Sequence, residues 1–164
     1  MSTQPISLQR QLKLLRACNE AVEWVGERDL HTAWVECERP DWMLWLCAKM
    51  DGKDGWPDKK KIVLCAADIA ESVLSIFEKN YPNDSRPRKA IEAARALANG
   101  EGTAKAAAYA ASAAADAAAD AAYAAADAAY AADAAYAAAY AAERTKILAQ
   151  CADIVRQHYP QVPE

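Results

Sequence analysis

The sequence predicts an all-α protein, a multi-helix bundle that ends in a long alanine-rich C-terminal helix. Three observations carry this. Alanine supplies 42 of the 164 residues, and it is the strongest helix former while being depleted in strands. Gly and Pro number only 5 and 7, which excludes collagen-like and low-complexity chains. No stretch alternates apolar and polar residues with the period of two that a strand requires. The length suits one domain with a real core. Within it, residues 7–99 form a Trp-rich body and residues 103–159 an alanine-rich long helix or helix pair.

The elements follow in order. Residues 7–26 read as a first helix, because Leu8, Leu12, Leu15, Val22 and Val25 recur at spacings of three, four or seven and Gly26 supplies a stop. Asp29 caps a short second helix carrying Leu30, Ala33, Trp34 and Cys37, and Pro40 ends it. Asp41 then reads as the N-cap of a third, very apolar helix through Ala48. Residues 51–58 are dense in turn formers and make a loop. From Lys59 to Asn80 a long helix shows Ile62, Leu64, Cys65, Ile69, Val73, Ile76 and Phe77 on one broad face. Pro87 sits in the first turn of the next helix, which points Ile91, Ala94 and Leu97 inward and stops at Asn99-Gly100.

Thr103 is the expected N-cap of the last element, and no Gly or Pro follows it until Pro160. One unbroken helix over 104–158 would run about 80 Å, whereas a domain of this size has a radius of gyration of about 15 Å. Such a helix must project, break, or be covered by a second chain. Residues 104–142 hold 28 of the alanines. Tyr109, Asp116, Asp120, Tyr123, Asp127 and Tyr130 interrupt them at steps that put these six side chains within about 80° of one another on a helix. This Tyr/Asp stripe is the candidate partner-binding surface, with the alanine side smooth enough for close helix packing; alternatively the tyrosines point inward and anchor the tract on the larger helices. Beyond it, Ile147, Leu148, Cys151, Ile154 and Val155 restore an ordinary apolar stripe that packs on the N-terminal helices.

Charge narrows the partners. The formal net charge is −4, and it lies wholly in residues 100–164, which carry 4 basic and 8 acidic groups. That is the wrong sign for a nucleic-acid or anionic-membrane binder. The aspartates within the alanine tract also argue against a membrane span. The N-terminal residues contain no apolar run of signal-peptide type, so the expected location is cytoplasmic. Five cysteines without a CxxC pair read as small core residues in a reducing compartment, with no disulfide framework and no metal site.

Catalytic patterns are missing: there is no GxSxG, HExxH, Walker-type or GxGxxG sequence. His31 and His158 lie near helix ends and read as surface or capping residues. Cys151 and His158 share a helical face, but seven residues separate them by about 10 Å, too far for a thiol–imidazole pair. Trp24, Trp34, Trp42 and Trp45 form either an aromatic core or a binding cage, and the core reading is favoured because the chain has a single Phe. Arg86, Arg88 and Lys89 crowd a helix N-terminus, where the dipole disfavours them; Glu92, four residues after Arg88, is the expected internal partner.

Several segments, in order, also resemble a known family. Asp-Trp-X-X-Trp-Leu at 41–46 and Arg-Pro-Arg-X-Ala-Ile-Glu at 86–92 are the specific ones. With residues 17–24, 33–39, the alanine/tyrosine tract and residues 151–160, they resemble the alanine-rich putative immunity proteins of bacteria and phages, over about residues 11–160. That resemblance implies a small cytosolic helical protein that binds and neutralises a toxin, without enzymatic activity, cofactor or metal. An acidic C-terminal half suits a basic toxin. Two further readings come from the alanine tract itself: a structural protein that self-associates through the alanine face, and an ice-binding-like helix. The second fits less well, because the stripe is Tyr/Asp rather than Thr.

Overall fold

The computed structural model describes residues 6–103, 105 and 134–162. Among these residues every regular element is a helix: α1 (Leu8–Leu14), α2 (Asn19–Val25), α3 (Leu30–Glu36), α4 (Pro40–Lys49), α5 (Lys59–Asn80), α6 (Arg86–Ala98) and α7 (Ala134–His158). The all-α prediction is met. No described helix is long and apolar enough to cross a membrane.

The expected first helix is two helices. Arg16 takes φ 63°, the left-handed conformation that usually needs glycine. Its N–H bonds the Lys13 carbonyl at 3.1 Å, and the Ala17 N–H reaches back to Leu12 at 2.9 Å. That pair of bonds is a Schellman closure. Ala17 then packs on the cluster of Leu12, Val22, Val25 and Ala33, and this burial offsets the strain of a non-glycine there. Periodicity continued across the break because Leu8, Leu12, Val22 and Val25 still face one core.

Other boundaries follow from caps. Gly26 at φ 53° ends α2. The Asp29 carboxylate accepts from the Thr32 N–H at 2.7 Å, and the hydrogen bonds from Thr32 hold its pKa down. Asp58 does the same for Lys61 at 2.8 Å and opens α5. Pro40, expected to end a helix, instead opens α4 at its first position, which suits its missing N–H. Asp41 therefore lies two residues past the N-cap, which is Arg39. Gly100 at φ 79° closes α6, with Glu101 N–H bonding the Ala96 carbonyl at 2.8 Å.

The main core gathers Trp34, Cys37, Met43, Cys47, Cys65, Ala152, Val155 and Tyr159. Cys47, Cys65, Ala152 and Val155 have no exposed surface, so small side chains bring α4, α5 and α7 together. Desolvation pushes the thiols of Cys47 and Cys65 up to about 12. Cys18 is exposed, which corrects the expectation that all five cysteines are core residues. The face expected on α5 is divided. Ile62, Cys65 and Ile69 serve the main core, whereas Ala67 and Leu74 meet Ile91 of α6 in a separate cluster, and Ile76 is exposed.

Long-range polar bonds fasten α7 to α3. Trp34 donates its indole N–H to the Tyr159 carbonyl at 3.0 Å. Arg156 donates to the Trp34 carbonyl at 3.1 Å and also to the Cys37 carbonyl. His158, expected at the surface, pairs through Nε2 with Asp68 of α5 at 2.8 Å. Asp68 also accepts from Arg95 of α6 at 2.5 Å, and Arg95 reaches Glu71. Arg88 does find an internal partner, but it is Glu78 of α5 at 2.6 Å rather than Glu92; Arg86 pairs with Asp84 at 2.7 Å.

Two predictions follow from this packing. The Tyr159 hydroxyl is buried with no hydrogen-bond partner among the described residues, and burial raises its pKa. Tyr159→Phe removes an unsatisfied group, so thermal unfolding should show a Tm unchanged or raised, by up to about 1 kcal/mol of stability. Burial pushes the Asp68 carboxyl up, but the bonds from Arg95 and His158 outweigh it and leave the pKa lowered. A lowered folded-state pKa gives stability that is present above about pH 4 and lost as pH falls through the folded value. With 40% of the Asp68 side chain exposed, screening limits this to about 1 kcal/mol or less. Urea unfolding should therefore find Asp68→Asn less stable than the parent at pH 7, with the difference vanishing at about pH 2.

Candidate aromatic groove

The four short N-terminal helices leave a groove between them. Leu8 and Leu12 of α1, Val22 and Val25 of α2 and Ala33 of α3 share one small apolar cluster at its base. The opening is about 430 Å³. Leu8 and Leu12 of α1, Trp24 of α2, Leu30 of α3, and Trp42, Trp45 and Leu46 of α4 line it. This volume falls within the range of ligand and anchor-residue pockets.

The tryptophans divide their roles. Trp34 is buried and meets Trp56 edge-on at 6.5 Å, so it belongs to the core. Trp24 and Trp42 are partly buried and tilt together at 5.9 Å on the groove wall. Trp45, three residues after Trp42, lines the same opening one helical turn along. Neither a wholly aromatic core nor a wholly exposed cage describes them.

Each groove indole carries a cation. The guanidinium of Arg39 lies 4.4 Å from the Trp42 ring centroid, that of Arg28 lies 4.8 Å from Trp24, and the Lys49 ammonium lies 5.6 Å from Trp45. Arg39 also forks onto Asp41 at 2.7 and 2.9 Å and reaches Glu20 of α2 at 3.3 Å. Hydrogen bonding from Arg39 holds the Asp41 carboxyl below its usual value. This is what Asp41 does in place of capping α4. Arg28 donates to Glu36 at 2.7 Å and to the Trp24 carbonyl at 2.6 Å.

Trp24 and Trp42 have a second cleft on their other side, about 310 Å³, bounded by Glu20, Glu36, Glu38, Thr145 and Leu148. The two hollows share Glu20, Trp24, Arg39 and Trp42. An indole wall with carboxylates along one edge can bind an apolar group and an adjacent cation. Among the described residues, no three His, Cys, Asp or Glu side chains converge to hold a metal ion. Cys151 lies 3.9 Å from the Ser72 hydroxyl, while His158 is committed to Asp68, so the two do not form a thiol–imidazole pair. His31 lies exposed on α3.

The candidate partner-binding residues Tyr109, Asp116, Asp120, Tyr123, Asp127 and Tyr130 lie outside the described residues. Arg39 and Glu38 escaped the reading of the sequence as site residues. The available signal was the run Glu-Cys-Glu-Arg-Pro-Asp-Trp at 36–42, four charges beside an indole.

The architecture is thus an all-α chain whose first four helices build an aromatic groove and whose last three close the core. Residues 57–153 match the family of Imm-5 like putative immunity proteins, and the chain belongs to that family. No curated protein and no solved structure matches it. The matched span covers α5, α6 and most of α7. The groove residues of α1–α4 precede it.

Arg39→Ala should lower stability by less than about 1 kcal/mol, because the ion pairs it loses are solvent-facing. It should also uncover Trp42. Acrylamide quenching of tryptophan fluorescence should rise in this variant while the far-UV circular dichroism stays that of the parent.

Proposed function

We propose that this chain acts as an immunity protein: a single-domain, non-enzymatic protein that binds a toxin and neutralises it. Membership of the Imm-5 like family, matched over 57–153, carries this reading. The charge distribution supports a basic toxin as partner, since the whole net charge of −4 lies in residues 100–164. In this reading Asp116, Asp120 and Asp127, with Tyr109, Tyr123 and Tyr130, meet the toxin's basic surface. The protein acts in the cytoplasm of the cell that makes the toxin, where its thiols stay reduced.

Co-expression tests this. The chain should restore growth to cells producing the toxin encoded in an adjacent reading frame, and the two proteins should co-purify as a complex. Growth arrest that persists with every neighbouring toxin, at confirmed soluble expression of the chain, would refute the proposal.

A further inference from the structure

We infer that the groove formed by Trp24, Trp42 and Trp45 is a docking site for a bulky apolar side chain flanked by a lysine or arginine on a protein partner. The inference deepens the toxin-binding reading and rests on it for the partner's identity, though not for the chemistry of the site. Size and composition supply the apolar half. About 430 Å³ accommodates a pair of large side chains, and tryptophan walls with an arginine rim are what binding hot spots are enriched in.

Charge supplies the other half. Glu20, Glu36, Glu38 and Asp41 line the two hollows, against Arg39 on their walls and Arg28 and Lys49 stacked on Trp24 and Trp45. Arg28 answers Glu36, and Arg39 is committed to Asp41 by a two-bond fork. Glu20 keeps only a 3.3 Å contact with Arg39 and is 71% exposed. Glu38 has no ion-pair partner among the described residues, and it faces the same cleft as Glu20. A cation placed between Glu20 and Glu38 would therefore meet carboxylates that the stacked Arg28 and Arg39 leave weakly paired or unpaired. It would leave the Arg39–Asp41 fork intact. An acidic partner would meet repulsion at the same place. The groove lies in α1–α4, N-terminal to the matched residues 57–153.

Three short peptides test the chemistry directly: acetyl-Lys-Phe-Phe-Lys-amide, acetyl-Lys-Ala-Ala-Lys-amide and acetyl-Glu-Phe-Phe-Glu-amide. Binding is followed by the indole N–H resonances and by the reaction rate of Cys18 with Ellman's reagent. Cys18 lines the groove and is the one exposed cysteine of five. The first peptide should shift Trp24, Trp42 and Trp45 while leaving Trp56 in place, and should slow Cys18 several-fold. The other two should bind at least tenfold more weakly. Glu20→Lys combined with Glu38→Lys, both exposed substitutions that leave the core alone, should reverse the preference between the basic and acidic phenylalanine peptides. No indole shift at about 10 mM peptide, or equal binding of the basic and acidic peptides, would overturn the inference. The toxin co-expression arm separates the two readings. If the parent protects cells and the doubly charge-reversed protein and Trp45→Ala, both shown folded, protect equally well, the groove proposal fails and immunity stands. If the parent protects against no toxin while the peptide results hold, immunity fails and the groove stands.

Discussion

The docking of the last three turns of α7 is the constraint on which the rest depends. Ala152, Val155 and the following Tyr159 enter a core otherwise built by α3, α4 and α5, and Ala152 and Val155 are completely enclosed. Small side chains at these points, with Cys47 and Cys65 opposite, allow backbones to come near without voids. The same stretch is held by directional bonds that span more than 100 residues of sequence, from Trp34 to Tyr159 and from Arg156 to the carbonyls of Trp34 and Cys37. Without this closure α3 would lose the partner that fixes Trp34, and α1 and α2, which rest on α3 through Ala33, would lose theirs.

That dependence links packing to recognition. Short helices are marginal alone, because too few of their backbone groups pair internally. Four consecutive helices of seven to ten residues stay ordered only through tertiary contacts, and all four contribute side chains to the groove. The long helices α5 and α7 provide the frame. Asp68 extends that frame by joining His158 and Arg95, and so couples α5, α6 and α7 through one carboxylate. The groove thus lies in the part of the molecule built from the shortest described helices, with Trp24, Trp42 and Trp45 partly exposed along it.

Local rules made much of this legible in the sequence. Asp29, Gly26 and Asn99-Gly100 are caps whose action is confined to a few residues, and each sits where it was expected. The break at Arg16 was hidden, since a left-handed residue that is not glycine leaves no signature in sequence. Pro40 and Asp41 fit two local readings, and choosing between them required knowing that Arg39 would take the Asp41 carboxylate. Glu78 in place of Glu92, and Asp68 beside His158, are tertiary pairings that no helical spacing reveals. Trp24, Trp34, Trp42 and Trp45 were visible as a group, yet the division of Trp34 to the core and the other three to the groove wall depends on tertiary packing.

Native-state hydrogen exchange tests the central claim most directly. If α7 closure holds the N-terminal helices, the amides of residues 151–159 and those of α3 and α4 should exchange through one cooperative opening. They would share a single free energy and a single denaturant dependence. Rapid exchange of residues 151–159 while α3 and α4 keep full protection would contradict it.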